Sequence, residues 1–252
     1  MILRECPHQH AGKPADEERE DREDADGRRP IGGRYDVEKR RVRVDLEKAA
    51  ENAVSFSYFS PDMKDGFPGN VTVKVTFTFS DDDELSIKYY AVSDKKTVIN
   101  LTNHAYFNLN GYENGDILSH ELKLNASRYT PIDTDSIPLG TLDAVEGTPF
   151  DFTSQKKIGR DISEDDEQLV NGNGYDHNFC IDGADGTLRL AAEAVGDISG
   201  IRMKVFTTLP GIQLYTGNFL DGTVSGKGGV ALTKRCSFCL ETQVYPDTPN
   251  HP

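Results

Sequence analysis

Val71-Thr-Val-Lys-Val-Thr-Phe-Thr-Phe79 alternates apolar and polar side chains without a break. Successive side chains of an extended chain point to opposite faces, so this run builds a strand with one buried and one wetted face. Asp81-Asp-Asp83 supplies a turn, and Leu85-Ser-Ile-Lys-Tyr89 resumes the alternation, so the pair predicts an antiparallel hairpin. Working outward, shorter runs of the same character lie at 41–46, 54–59, 121–124, 187–190, 202–206 and 212–215. Clusters of Gly, Asp, Asn and Pro separate them, in keeping with 23 glycines and 12 prolines. A 3.6-residue apolar stripe is missing, and one helical turn is expected near 163–169. Many short strands with turn punctuation predict an all-β fold, a large antiparallel β-sandwich rather than a parallel α/β sheet.

A length of 252 residues suits one large β domain or two ordinary ones, and 36% hydrophobic residues suffice for a core that lacks tryptophan. The formal charge of −14 argues against nucleic acid or an anionic membrane as partner, since both reward clustered Lys and Arg. A neutral small molecule fits better. The four cysteines, Cys6, Cys180, Cys236 and Cys239, are too few and scattered for a disulfide framework. Cys236-Ser-Phe-Cys239 has the spacing of a zinc or redox pair but lacks a second pair, and Phe238 and Leu240 read as buried strand residues. No metal is therefore expected. Met1 to His10 lacks the apolar core of a secretory signal, and no stretch nears the roughly 20 apolar residues of a membrane helix. These features predict a cytoplasmic protein, in which the sequons at Asn70, Asn100 and Asn125 are chance matches.

Residues 1–37 differ from the rest. From Asp16 to Asp26 only Ala25 is uncharged, so this segment is expected to be disordered or a solvated helix, set apart from a domain at 38–252. His8 and His10 within it are read as incidental rather than metal-binding.

Two polar clusters carry chemistry. Asn100-Leu-Thr-Asn-His-Ala-Tyr-Phe-Asn-Leu-Asn110 sets a histidine among amides and aromatics, and Phe238-Cys-Leu-Glu-Thr-Gln243 sets one carboxylate among apolar neighbours. A histidine that gives a proton and a half-buried glutamate that takes one make a minimal acid–base pair. Leu240 and Phe238 would desolvate Glu241 and raise its pKa, whereas a cationic histidine would oppose the rise. Both outcomes stay open at this point. Plainer roles stand beside these: His104 bridging strands, Asp176 capping a turn, and His177 as a structural residue. Tyr106, Phe107 and Phe219 are expected in the core, and Gly211 and Gly217 in backbone turns.

Four segments appear in order: 102–109, Gly174-Tyr-Asp-His-Asn-Phe179, Pro210 to Gly222, and Cys239-Leu-Glu-Thr-Gln243 with Pro246-Asp-Thr-Pro-Asn-His-Pro252. Together they resemble the aldose 1-epimerase (galactose mutarotase) family. Asp65-Gly-Phe-Pro-Gly69, Ile137-Pro-Leu-Gly140 and Glu146-Gly-Thr-Pro-Phe-Asp151 also fit. The resemblance implies a large antiparallel sandwich holding a free aldose in a cleft on one sheet, without a cofactor. It implies His104 as the general acid for the ring oxygen and Glu241 as the general base for the C1 hydroxyl. Asp176 and Gln213 would hold sugar hydroxyls, and Asn103 suits the same task.

The resemblance also has gaps. The family's upstream Asn-Arg-Ile-like motif has no counterpart, and Ile31-Gly-Gly-Arg-Tyr-Asp36 matches its His-Gly-Gly motif only with isoleucine replacing histidine. Family members begin with further strands and continue past this C-terminus, so the sandwich is expected to be incomplete. Two alternatives follow: a non-catalytic sugar-binding protein on the same fold, and a hexose-phosphate epimerase, which would need Lys or Arg at the cleft mouth.

Overall fold

The alternating run forms the strand it predicts, β4 (Val71–Phe79), and hairpins with β5 (Glu84–Ser93) in register Phe77↔Ile87 and Phe79↔Leu85. Ser80 closes the turn: its amide donates to the Glu84 carbonyl at 2.9 Å and its Oγ accepts from the Asp82 and Glu84 amides. Asp83 sits in the left-handed region (φ 57°), which a short polar side chain tolerates at the end of a three-residue hairpin loop. Val75 and Phe77 thereby face the same way, with Leu85, Ile87 and Tyr89 beside them, and all pack on the core.

The computed structural model describes residues 2–8 and 44–251. Besides β4 and β5 the strands are β1 (Ile2–His8), β2 (Asp45–Ala49), β3 (Ala53–Ser60), β6 (Glu121–Leu124), β7 (Arg128–Tyr129) and β8 (Asp143–Ala144). They continue with β9 (Lys156–Lys157), β10 (Asp176–Cys180), β11 (Arg189–Val195), β12 (Arg202–Thr207), β13 (Gly211–Tyr215) and β14 (Cys239–Gln243). One short helix, α1 (Glu167–Asn171), is capped by Asp166, whose carboxylate accepts from the Gln168 and Leu169 amides. Nine strands form one sheet in the order β2-β3-β4-β5-β1-β12-β11-β6-β9, and five form the other, β14-β13-β10-β7-β8. One apolar cluster fills the space between them, with Leu122, Leu124, Ala192, Ala194, Met203 and Val205 from the large sheet. Tyr129, Phe179, Ile212, Leu214 and Leu240 answer from the small one. This is the expected sandwich.

Two differences from the sequence reading concern β1 and β11. Within residues 1–37 the structure describes only Ile2–His8, and these form a strand parallel to both β5 and β12. These are the only parallel pairings among the described residues. A strand in that slot pairs backbone groups of β5 and β12 that would otherwise form two open edges. The charged run from Asp16 to Asp26, His10 and Ile31–Asp36 lie outside the described residues. The strand expected at 187–190 instead spans Arg189–Val195, with a bulge between Leu190 and Ala192. Its Ala-rich sequence lacks strand propensity, and pairing with β6 and β12 decides its conformation. Among the described residues no helix is long and apolar enough to cross a membrane.

Candidate active site

The small sheet is covered on both faces at β10, β13 and β14. Every residue of β14 is buried, as are the last four of β10. Strand alternation puts Leu240 into the core and turns Cys239, Glu241 and Gln243 to the opposite face. Register sets Gln213 opposite Glu241 and Asn178 opposite Gln213, so Asn178, Gln213 and Glu241 form a polar row across three strands. Asp176 extends the row one step along β10. A cleft of about 320 Å³ lies over it, lined by His104, Asp176, Asn178, Gln213, Glu241 and Gln243. Thr130, Ile132, Ser136, Pro138 and Pro246 make the remaining wall. Its size sits at the low end of small-ligand clefts, which run from about 300 to 1,000 Å³.

His104 reaches this cleft on a segment that is not itself a strand. Asn100 exchanges two bonds with Val244: its Nδ2 donates to the carbonyl at 2.9 Å and its Oδ1 accepts from the amide at 3.0 Å. At the other end Phe107 and Phe238 exchange backbone bonds of 2.8 and 2.9 Å. Glu241 lies midway between those anchors. His104 Nε2 is consequently 3.4 Å from Glu241 Oε1, and His104 Nδ1 is 3.4 Å from Cys239 Sγ. The imidazole is half exposed and the carboxylate is 10% exposed, so one side of the pair faces solvent and the other the protein.

Burial settles the electrostatic contest left open by the sequence. Desolvation, helped by the charge of Asp176, pushes the Glu241 pKa up to about 7. Asp176 is itself raised by burial, against the pull of its Gln213 hydrogen bond and of His104. Gln213 is held from both sides, donating to Asp176 Oδ1 at 2.9 Å and accepting from Gln243 Nε2 at 2.9 Å. Burial also holds the Cys239 thiol far above its ordinary range.

Other expectations sort by face. His177 points into the core, fully buried against Phe150 and Tyr129. Its Nδ1 accepts from the Asp176 amide at 3.2 Å, its Nε2 lies 3.3 Å from Gln168 Oε1, and burial depresses its pKa to about 3. It is structural, as expected. Asp176 opens β10 on the cleft face instead of capping a turn. Asn103 does not line the cleft; its Oδ1 accepts from the Ala105 amide at 3.1 Å in a two-residue side-chain turn, which uses the acceptor end of the side chain. Tyr106 and Phe219 are not core residues; they are 50% and 61% exposed, and both lie near Tyr215. Phe107 packs on the core as expected. Gly217 takes a positive φ of 63°, as a turn residue does. Gly211 lies within β13, and a Cβ there would collide with the Asn178 amide and the Tyr245 ring. It makes room rather than a turn.

Residues 34–252 match the family model described as Aldose 1-epimerase. The chain belongs to the aldose 1-epimerase family. It is similar to the galactose mutarotase of Homo sapiens, 42% identical over 205 residues that cover 81% of this chain and 58% of the relative. An aldose 1-epimerase of Haemophilus influenzae is 41% identical over 228 residues, covering 90% of this chain and 65% of that protein. The crystal structure of a GalM/aldose epimerase homologue from C. elegans superposes with a TM-score of 0.73 at 30% identity, over 82% of this chain and 60% of that one. The chain thus spans about three-fifths of the length of the epimerase relatives it matches.

Sequence reading missed Asn178, Gln243 and Cys239 as cleft-face residues. The signal was present: each lies two positions from Asp176 or Glu241 and shares its face of the strand. Thr130 and Ile132 were out of reach, because their wall is set by long-range bonds. Gln168 both donates to the Ile132 carbonyl and accepts from its amide, and Asn171 donates to the same carbonyl.

Proposed function

We propose that this chain interconverts the α and β anomers of free aldoses, with His104 as general acid and Glu241 as general base. One observation carries the reading: His104 Nε2 and Glu241 Oε1 are 3.4 Å apart at the edge of one polar cleft. The ring oxygen and the anomeric hydroxyl are bonded to the same carbon, so an acid and a base acting on them must be neighbours. Glu241 takes the hydroxyl proton while protonated His104 delivers one to the ring oxygen. The bond from C1 to the ring oxygen breaks, and its electrons leave with that oxygen as the C1 carbonyl forms. Rotation about C1–C2 presents the other face, and the two groups return their protons in reversed roles. A carboxylate with a pKa near 7 suits this exchange, since it accepts a proton and gives it back near neutral pH.

Asp176 and Gln213 hold sugar hydroxyls in this reading. Asn178 joins them, because it lines the cleft beside Gln213 and its buried Nδ2 has no partner of its own. No Lys or Arg lines the cleft among the described residues, which favours a free sugar over a hexose phosphate. The relatives named for galactose mutarotation and aldose epimerisation support a place in carbohydrate metabolism. A cytoplasmic location is supported by three unpaired thiols, Cys180, Cys236 and Cys239, which a reducing compartment preserves.

Polarimetry of freshly dissolved α-galactose tests the reading. Anomer exchange above a buffer control is expected from the folded chain. Saturable sugar binding by calorimetry with no such exchange would instead identify a sugar-binding protein.

A further inference from the structure

An imidazole, a thiol and a carboxylate converge on one spot of the cleft edge. One donor atom each from His104, Cys239 and Glu241 lies within 4.8 Å of the other two. We propose that these three side chains form a zinc-binding site, and that bound zinc reversibly blocks the proton exchange assigned to the same cleft. The inhibition rests on that functional reading; the binding does not.

The geometry is close to what the ion takes. Zinc binds thiolate, imidazole and carboxylate at about 2.0–2.3 Å in a tetrahedron, which sets its donors roughly 3.5 Å apart. His104 lies 3.4 Å from Glu241 through one ring nitrogen and 3.4 Å from Cys239 through the other. A rotation of this half-exposed ring brings a single nitrogen toward both partners. The fourth position opens onto the cleft, where water completes the shell. A thiolate and an imidazole select zinc over magnesium or calcium, which take oxygen ligands. Asp176 adds negative potential that favours a cation, and no Lys or Arg lines the cleft to oppose one among the described residues. On binding, an S–Zn bond replaces the Cys239 S–H bond and the proton leaves to buffer. Zinc then occupies the carboxylate and the imidazole together, so aldose and metal compete. The pairing crosses from the His104 segment to β14, which is why the spacing of Cys236 and Cys239 does not disclose it.

Calorimetric titration of the full chain with Zn²⁺, and absorbance titration with Co²⁺, tests the site. One ion per chain and a thiolate-to-cobalt charge-transfer band are expected. Cys239→Ser, verified as folded by circular dichroism, should lose the band and weaken zinc at least about tenfold. Cys236→Ser should keep both, since that thiol lies against Ser237 Oγ rather than His104. A double variant, His8→Gln with His10→Gln, should also keep them. Absence of saturable binding, an unchanged affinity in Cys239→Ser, or loss of the site with His8 and His10 would each overturn the proposal. Polarimetry separates the two readings. An active chain that zinc fails to slow, with magnesium as control, overturns the inhibition. A chain inactive on aldoses whose cobalt band still depends on Cys239 keeps the metal site and removes the catalytic reading.

Discussion

β4 and β14 are strands of one sandwich, yet they handle polar residues in opposite ways. Along β4 no residue is buried and polarity alternates with the face. Along β14 all five residues are buried, and Glu241, Thr242 and Gln243 are among them. In the first strand polar residues mark the solvent side. In the second Glu241 and Gln243 mark a cleft wall, a second covered surface built to be polar, while Thr242 shares the core face with Leu240. Leaving such groups unpaired costs about 1–3 kcal/mol each, and the small sheet limits that cost by pairing Gln213 with Asp176 and Gln243. Asn178 Nδ2 and Thr242 Oγ1 remain without partners. Asn178 is also one of the residues that line the cleft.

The largest effects test whether the cleft face is chemical rather than merely polar. Glu241→Gln and His104→Asn should each lower anomer exchange by about 10²–10⁴-fold in polarimetry while leaving the circular dichroism spectrum intact. Normal turnover in either variant removes that residue from the mechanism. Next in size is a pair that contrasts the two sheets. Phe179, fully buried against Tyr129, Phe150 and Phe152, should cost about 3–5 kcal/mol in urea unfolding when changed to Ala. Phe79, half exposed at the end of β4, should cost no more than about 0.5 kcal/mol as Ser. Equal costs would dissolve the distinction.

A third prediction concerns pH. The Glu241 pKa rises from 4.5 to about 7 on folding, so the folded protein binds this proton more tightly than the unfolded chain. Its contribution to stability is full below about pH 4.5 and is lost as pH rises through 7. Glu241→Gln should therefore unfold at higher urea than the parent above pH 7, by on the order of 3 kcal/mol, with the gap closing in acid. On the acid limb of its pH profile turnover should move the other way, rising as the base ionises near 7; an acid limb centred near 4.5 would contradict the shift. Smallest is Asn178→Ala, expected to raise KM about 3- to 10-fold with less change in kcat, the loss of one hydrogen bond of about 0.5–1.5 kcal/mol.

The same contrast explains what the sequence disclosed. Strands with alternating faces announce themselves by alternation, and β4 spans the alternating run from Val71 to Phe79. β10 has both faces covered, so Asp176-His-Asn-Phe-Cys180 shows no alternation of hydropathy, and its strand character went unread. His104 and Glu241 were legible as residues through their motifs. Their separation was not, because it depends on bonds that join residues 144 positions apart in the chain, such as Asn100 with Val244. The local turn at Asn103, whose Oδ1 accepts from the Ala105 amide, is likewise visible only in three dimensions.

The two anchors that flank His104 have a mechanical consequence. Asn100 grips Val244 and Phe107 grips Phe238, so His104 and Glu241 ride on adjoining stretches of one hydrogen-bonded ribbon. Bending of that rim carries both groups together, and their spacing changes less than the position of either. Fidelity of the proposed proton relay then depends on the stiffness of a strand edge rather than on the stillness of a loop.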